Sequence, residues 1–272
     1  MPKSAANTFF QRLTRALVSP NRVLGALSAR LRRAPFRIGL ARPWPGIYLS
    51  YTPDRYSENS SLYVGGGGSL DPEELKAFLR RNTENNSGDL SRFFFFKLVC
   101  DQIVKEKLRG DIAELGVYKG NTAILMARLA RRIGCTAYLL DTYEGFSRDD
   151  LHGMDAGKPV SFMDTSLAAV QSLVGYENVR FIRGRFPGSA EQMPNDLSFC
   201  LVHLDCDLYE PFRAALNYFY PRLVPGGFLV MHDYSSLSWN GPEKAADEFF
   251  ADKPEKLVLI PDKSGTAVAR KV

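Results

Sequence analysis

Cysteine is scarce in these 272 residues: Cys100, Cys135, Cys200 and Cys206 are the only four. They form no CxxC pair and match no metal-finger spacing, which excludes a disulfide framework and makes a reduced, cytoplasmic compartment the simplest reading. Long apolar runs are missing too, and no window approaches the ~20 residues that a membrane span needs. Acidic residues are absent from positions 1–42, where Lys3, Arg12, Arg15, Arg22, Arg30, Arg32, Arg33, Arg37 and Arg42 all fall. The rest of the chain therefore has 26 basic groups (35 − 9) against 30 acidic ones, and the net charge of +5 belongs to this arm. An enzyme of nucleic acids usually carries basic residues on the catalytic domain itself, so the distribution argues against a nucleic-acid partner.

What is present is ample core material, 45% hydrophobic and 12% aromatic. Within the arm, Phe10, Leu13 and Leu17, then Leu24, Leu27 and Leu31, recur at helical spacing between arginines. Three uses stay open: peripheral contact with an anionic membrane surface, a tail or docking arm, or a targeting sequence. Arg42-Pro-Trp-Pro-Gly46 and Gly65-Gly-Gly-Gly68 punctuate the chain, so residues 1–70 read as a basic arm and linker and 71–272 as the globular domain.

Beyond residue 70 the pattern predicts a short helix to Arg81, capped by Ser69 or Asp71, and a second helix over 90–108 stopped by Gly110. Strands and helices then alternate: strand 111–117, helix 121–132, strand 136–141, helix 165–174, strands 179–182 and 199–205, helix 209–222, strand 228–233 and helix 243–250. Two β-rich runs, 256–260 and 265–270, close the chain as an edge hairpin. Such alternation predicts an α/β fold with a mostly parallel sheet. The polar stretch 145–162, with Phe146, His152, Met154 and Phe162, reads equally as a lid or as a plain surface loop.

Candidate chemistry gathers at expected strand ends, where open α/β sheets bind ligands. Glu114-Leu-Gly116-Val-Tyr-Lys-Gly120-Asn121 is a glycine turn of GxxxG type, not the GxGxxG dinucleotide signature, and its carboxylate suits a ligand carrying an ammonium and a sulfonium. Asp141 lies 25 residues past Gly116, the distance expected of an acid that hydrogen-bonds ribose hydroxyls. Asp205-Cys-Asp207 and His232-Asp233 close two further apolar runs. If the strand continues to Asp207, both carboxylates face one side, and their repulsion calls for a cation or a shared proton. The bland alternative is that one of them caps the next helix.

With Ala113-Glu-Leu-Gly-Val-Tyr-Lys-Gly-Asn121, Leu140-Asp-Thr-Tyr-Glu-Gly145, Leu204-Asp-Cys-Asp-Leu-Tyr-Glu-Pro211, Tyr220-Pro-Arg-Leu-Val-Pro-Gly-Gly227 and His232-Asp-Tyr234, residues 90–272 resemble the macrocin O-methyltransferase family within the class I S-adenosylmethionine-dependent methyltransferases. The resemblance implies a Rossmann-like fold with a seven-stranded, mostly parallel sheet and an antiparallel edge hairpin, and O-methylation of a sugar or glycosylated acceptor. It implies S-adenosylmethionine bound through Glu114, Gly116, Tyr118, Gly120, Asn121, Asp141, Thr142 and Gly184. It further implies a divalent metal, Mg2+ or else Mn2+, on Asp205, His232 and Asp233, with Asp207 as general base and Asp205 in the catalytic set. His232 departs from the aspartate frequent in the family, and imidazole is a poor ligand for Mg2+. Catechol methylation, a nicotinamide-dependent oxidoreductase and a silent binding module are the competing readings. Oligomeric state and acceptor are not encoded in any motif.

Overall fold

The computed structural model describes residues 52–56, 70–81 and 89–272. The basic arm expected at 1–42, and nearly all of the expected 1–70 segment, lie outside the described residues. The domain opens with α1 (Pro72–Arg81), whose Pro72 takes the first helical position while Asp71 Oδ1 accepts the Glu73 N–H at 2.9 Å. Helix α2 (Leu90–Glu106) starts on Asp89, which accepts from the Arg92 N–H at 3.1 Å. It ends four residues before Gly110, because Lys107 turns left-handed at φ 56° and returns its N–H to the last helical turn.

Five parallel strands follow: β1 (Asp111–Leu115), β2 (Ala137–Asp141), β3 (Val179–Arg183), β4 (Phe199–Leu204) and β5 (Leu223–Met231). Between them run α3 (Ala123–Ile133), α4 (Leu167–Val174) and α5 (Tyr209–Phe219); α6 (Gly241–Phe250), β6 (Val258–Ile260) and β7 (Thr266–Arg270) complete the chain. The sheet order is β3-β2-β1-β4-β5-β7-β6, with β7 antiparallel to both neighbours. The central strand Phe-Cys-Leu-Val-His-Leu is buried on both faces, which is why it reads as a continuous apolar run. Its core packs Leu204, Val202, Phe212, Leu216, Phe219, Leu229 and Met231 together.

Several expected boundaries need correction, three of them instructive. β5 begins at Leu223, five residues early, because Leu223 pairs with Phe199 of β4 and a register shift absorbs the Pro225-Gly-Gly227 segment inside the strand. Helix α5 stops at Phe219, and Pro221 sits in a 3-10 turn over Tyr220–Arg222. β4 ends at Leu204, so the two-residue alternation does not carry Asp207 into the cleft.

Candidate active site

The strand order reverses between β1 and β4, and at their carboxyl ends opens a cavity of about 810 Å³. Its walls hold Glu114, Gly116, Tyr118, Asn121, Asp141, Thr142, Gly184, Asp205, Asp207, His232 and Asp233. Of the expected site residues only Gly120 lies off this wall. At φ +78° its bare α-carbon faces Val170 of α4, where a methyl group would come within 3.2 Å. Gly116 has a similar reason to be glycine: an added Cβ would lie 2.0 Å from the backbone oxygen of Asp205. These glycines make room for protein backbone and side chains, not directly for a ligand.

Asp141 organises the turn that follows β1. Its Oδ2 accepts the N–H groups of Val117 (2.6 Å) and Tyr118 (2.9 Å), and its Oδ1 accepts that of Tyr143 (2.7 Å). Tyr118, at φ 49°, donates its hydroxyl to Asp164 at 2.5 Å, and Lys119 pairs with the same carboxylate. Asn121 is 4% exposed, and neither its amide oxygen nor its amide nitrogen has a partner. Glu114 likewise leaves Oε2 unpartnered, while Oε1 meets His203 Nδ1 at 2.9 Å. Burial, reinforced by the charges of Asp205 and Asp141, raises Glu114 well above the usual carboxylate range, and burial holds His203 well below 6.5. Both shifts work against an ion pair and favour a hydrogen bond between neutral groups.

The acidic end of the site contains a residue that the motifs did not announce. Arg92, on α2 and 1% exposed, donates Nη2 to Asp205 Oδ2 and lies 3.5 Å from His203 Nε2. Its signal in the sequence was a lone arginine ahead of Phe93-Phe-Phe-Phe96, a position that a helix must bury. On the other side of Asp205, His232 Nδ1 stands 2.9 Å from Asp205 Oδ1 and 2.9 Å from Asp233 Oδ2. Burial opposes a charge on His232 and so does Arg92, yet the two carboxylates outweigh them and push its pKa up to about 10. Asp205 is held well below its usual value by Arg92 and His232 against the burial effect. Burial and the neighbouring Asp233 and Asp205 drive Asp207 the other way, well up. Both Asp207 (φ 58°) and Asp233 (φ 59°) adopt left-handed backbone, an uncommon conformation for aspartate that turns each carboxylate back toward the cleft.

The stretch 145–162 forms two 3-10 turns, Arg148–Asp150 and Gly153–Asp155, at the cavity mouth. Phe146 and Phe162 pack on Trp239 with ring centroids 5.6 and 6.1 Å away, and Lys158 donates to the Ser238 carbonyl. Asp207 does not cap α5: Leu208 holds the cap position without a side-chain bond, and Asp155 of this loop accepts the Tyr209 N–H instead.

A five-stranded parallel core extended by an antiparallel β7–β6 pair, with a cavity at the β1/β4 reversal, defines the class I methyltransferase fold. Solved structures share it: the O-methyltransferase NovP superposes with a TM-score of 0.58 at 22% identity, covering 67% of this chain and 80% of that one. A calicheamicin methyltransferase superposes at 0.56 with 18% identity, covering 85% and 94%. Residues 90–257, more than half of the chain, match the Macrocin-O-methyltransferase (TylF) family, and the chain belongs to that family. Among its curated relatives, the 8-demethyl-8-(2,3-dimethoxy-alpha-L-rhamnosyl)-tetracenomycin-C 4'-O-methyltransferase of Streptomyces olivaceus is 29% identical over 160 residues, 54% of this chain and 61% of that protein. The mycinamicin III 3''-O-methyltransferase of Micromonospora griseorubida is 30% identical over 150 residues, 49% of this chain and 59% of that protein. The chain thus matches about three-fifths of the length of these relatives. Family membership sets aside the nicotinamide-dependent oxidoreductase.

Proposed function

We propose that this protein transfers the methyl group of S-adenosylmethionine to a hydroxyl of a sugar or glycosylated small molecule. The observation that carries the reading is a cavity walled by Glu114, Asn121, Asp141, Asp205 and Asp207 in which buried polar atoms of Glu114 and Asn121 have no partner. Buried polar atoms without partners are rare in folded proteins, and these fit a donor bearing an ammonium, a carboxylate and a ribose. The donor, when bound, supplies the electrophilic methyl group.

The chain's own residues align and deprotonate. Asp141 fixes the glycine turn and presents a carboxylate at the ribose distance; Glu114 offers a buried acid to the positive end of the donor. Asp207 accepts the acceptor's proton in this reading, as a carboxylate at the acceptor end of the cleft. The rings of Phe146, Phe162 and Trp239 provide flat apolar walls for the C–H face of a sugar. The relatives' names, both of sugar or glycoside methyltransferases, support an acceptor of this kind.

Asp205, His232 and Asp233 do bring three ligand atoms within 4.8 Å of one another. As arranged, this set does not fit a hard divalent cation. Both oxygens of Asp205 already face nitrogen donors of the protein, and the third ligand is an imidazole held between two carboxylates. Among the described residues no helix is long and apolar enough to cross a membrane.

The test is calorimetry with S-adenosylhomocysteine and with NAD, followed by incubation with labelled S-adenosylmethionine and host extracts. Binding of the first alone, with label appearing in a glycosylated product, is the expected result. Label transferred only to catechols or phenols would replace the sugar reading. Asp207→Ala should lose transfer by ~10²–10⁴-fold while binding S-adenosylhomocysteine normally.

A further inference from the structure

The place between Asp205 and Asp233, which a shared cation would have to occupy, is filled by protein. His232 Nδ1 stands 2.9 Å from an oxygen of each carboxylate and is hydrogen-bonded to that of Asp233, so the ring nitrogen fills the space between them. The backbone that carries the ring is fixed in the sheet. Its backbone N–H is bonded to Leu204 O at 2.9 Å at the end of the β4/β5 ladder, and the side chain is buried. The left-handed turn at Asp233 directs that carboxylate back onto the imidazole of its own neighbour. At the far oxygen of Asp205 stands Arg92, delivered by the capped first turn of α2 and shut off from solvent. Two nitrogen donors from separate elements therefore converge on a carboxylate pair from the ends of β4 and β5. Together they occupy the carboxylate oxygens that a shared cation would need.

Building on the methyl-transfer reading, we propose that Arg92 and His232 are positioning residues that take the part of a divalent cation in this chain. They hold Asp205 and Asp233 side by side at the acceptor end of the cleft, and the donor-loaded protein binds no divalent metal there. Imidazole at position 232 is the deciding substitution: an oxygen ligand would open the bridging place to a hard cation, whereas the N–H closes it.

The experiment titrates the full chain, with and without S-adenosylhomocysteine, with Mn2+ and reads free Mn2+ by electron paramagnetic resonance. Wild type should leave the Mn2+ signal unquenched at millimolar metal. His232→Asp, and more strongly Arg92→Met combined with His232→Asp, should gain one Mn2+ per chain, with affinity raised ~10–100-fold over wild type and competed by Mg2+. Stoichiometric, Mg2+-competed Mn2+ binding by wild type overturns the proposal. So does a failure of both variants to gain metal while they still bind S-adenosylhomocysteine, since these side chains would then not be what fills the place. If the double variant does not fold, His232→Asp alone decides. Calorimetry with S-adenosylhomocysteine, read separately, judges the methyltransferase assignment.

Discussion

Asp155 Oδ2 accepts the Tyr209 N–H at 2.8 Å, so a loop residue caps the helix that begins immediately after Asp205-Cys-Asp207. The carboxylate is 3% exposed and lies at the N-terminal end of α5, where the helix dipole favours negative charge. Closure of the loop and the placement of Asp207 are thereby mechanically joined. Asp155→Ala should cost about 1 kcal/mol of stability. In hydrogen exchange, the amides of 145–162 and of the first turn of α5 should both speed up. Faster exchange in only one of the two segments would show that they are not coupled.

Burial and the nearby Asp205 and Asp141 raise the pKa of Glu114 in the ligand-free site, which favours its protonated form. Bringing the positive end of the methyl donor against it reverses that balance. Binding of S-adenosylmethionine should release about one proton, visible as a dependence of calorimetric heat on the buffer's ionisation enthalpy. Glu114→Gln should bind with no such dependence; an unchanged proton count in that variant would place the titrating group elsewhere.

Two glycines with similar backbone but different surroundings separate strain from collision. Gly134 sits at φ +73° with nothing within 4 Å of an added Cβ, so Gly134→Ala should cost only ~1–2 kcal/mol in urea unfolding. At Gly116 the new methyl would collide with the Asp205 carbonyl, and Gly116→Ala should cost more than about 4 kcal/mol or prevent folding. Equal costs would mean that the β1 and β4 turns are not in contact.

Glu255 ties down the C-terminus, accepting from Tyr220 Oη at 2.6 Å, Val272 N at 3.1 Å and Lys271 Nζ at 3.3 Å. Burial works against its charge, but these donors outweigh it and lower its pKa to about 2. Since the folded value lies below the unfolded one, the stabilisation is present above the ordinary carboxylate range and is lost as pH falls toward 2. Glu255→Gln should therefore unfold more easily than wild type at pH 7, by about 2 kcal/mol, with the gap closing in acid. A gap that is constant with pH would exclude the charge as its source.

The local pattern of the sequence carried the order and type of the elements from α1 to β7, because apolar periodicity and strand-end polar residues are properties of neighbouring positions. It also placed Glu114, Asp141, Asp205 and Asp233 on one edge, since parallel strands put all their carboxyl ends together. It left the route of Asp207 open between a continued strand and a helix cap, where a left-handed turn does the work, and it placed the start of β5 after the Pro-Gly-Gly segment that pairing with β4 draws into the strand.

Arg92 and Asp155 escaped the motifs for one shared reason: each reaches its partner across more than fifty positions, 92 to 205 and 155 to 209, and no local pattern encodes such a distance. The sequence by itself determined an α/β fold of the methyltransferase type with its acids at the sheet edge. Only the tertiary structure decided how those acids are charged, because burial and the approach of a guanidinium and an imidazole from other elements set their electrostatics.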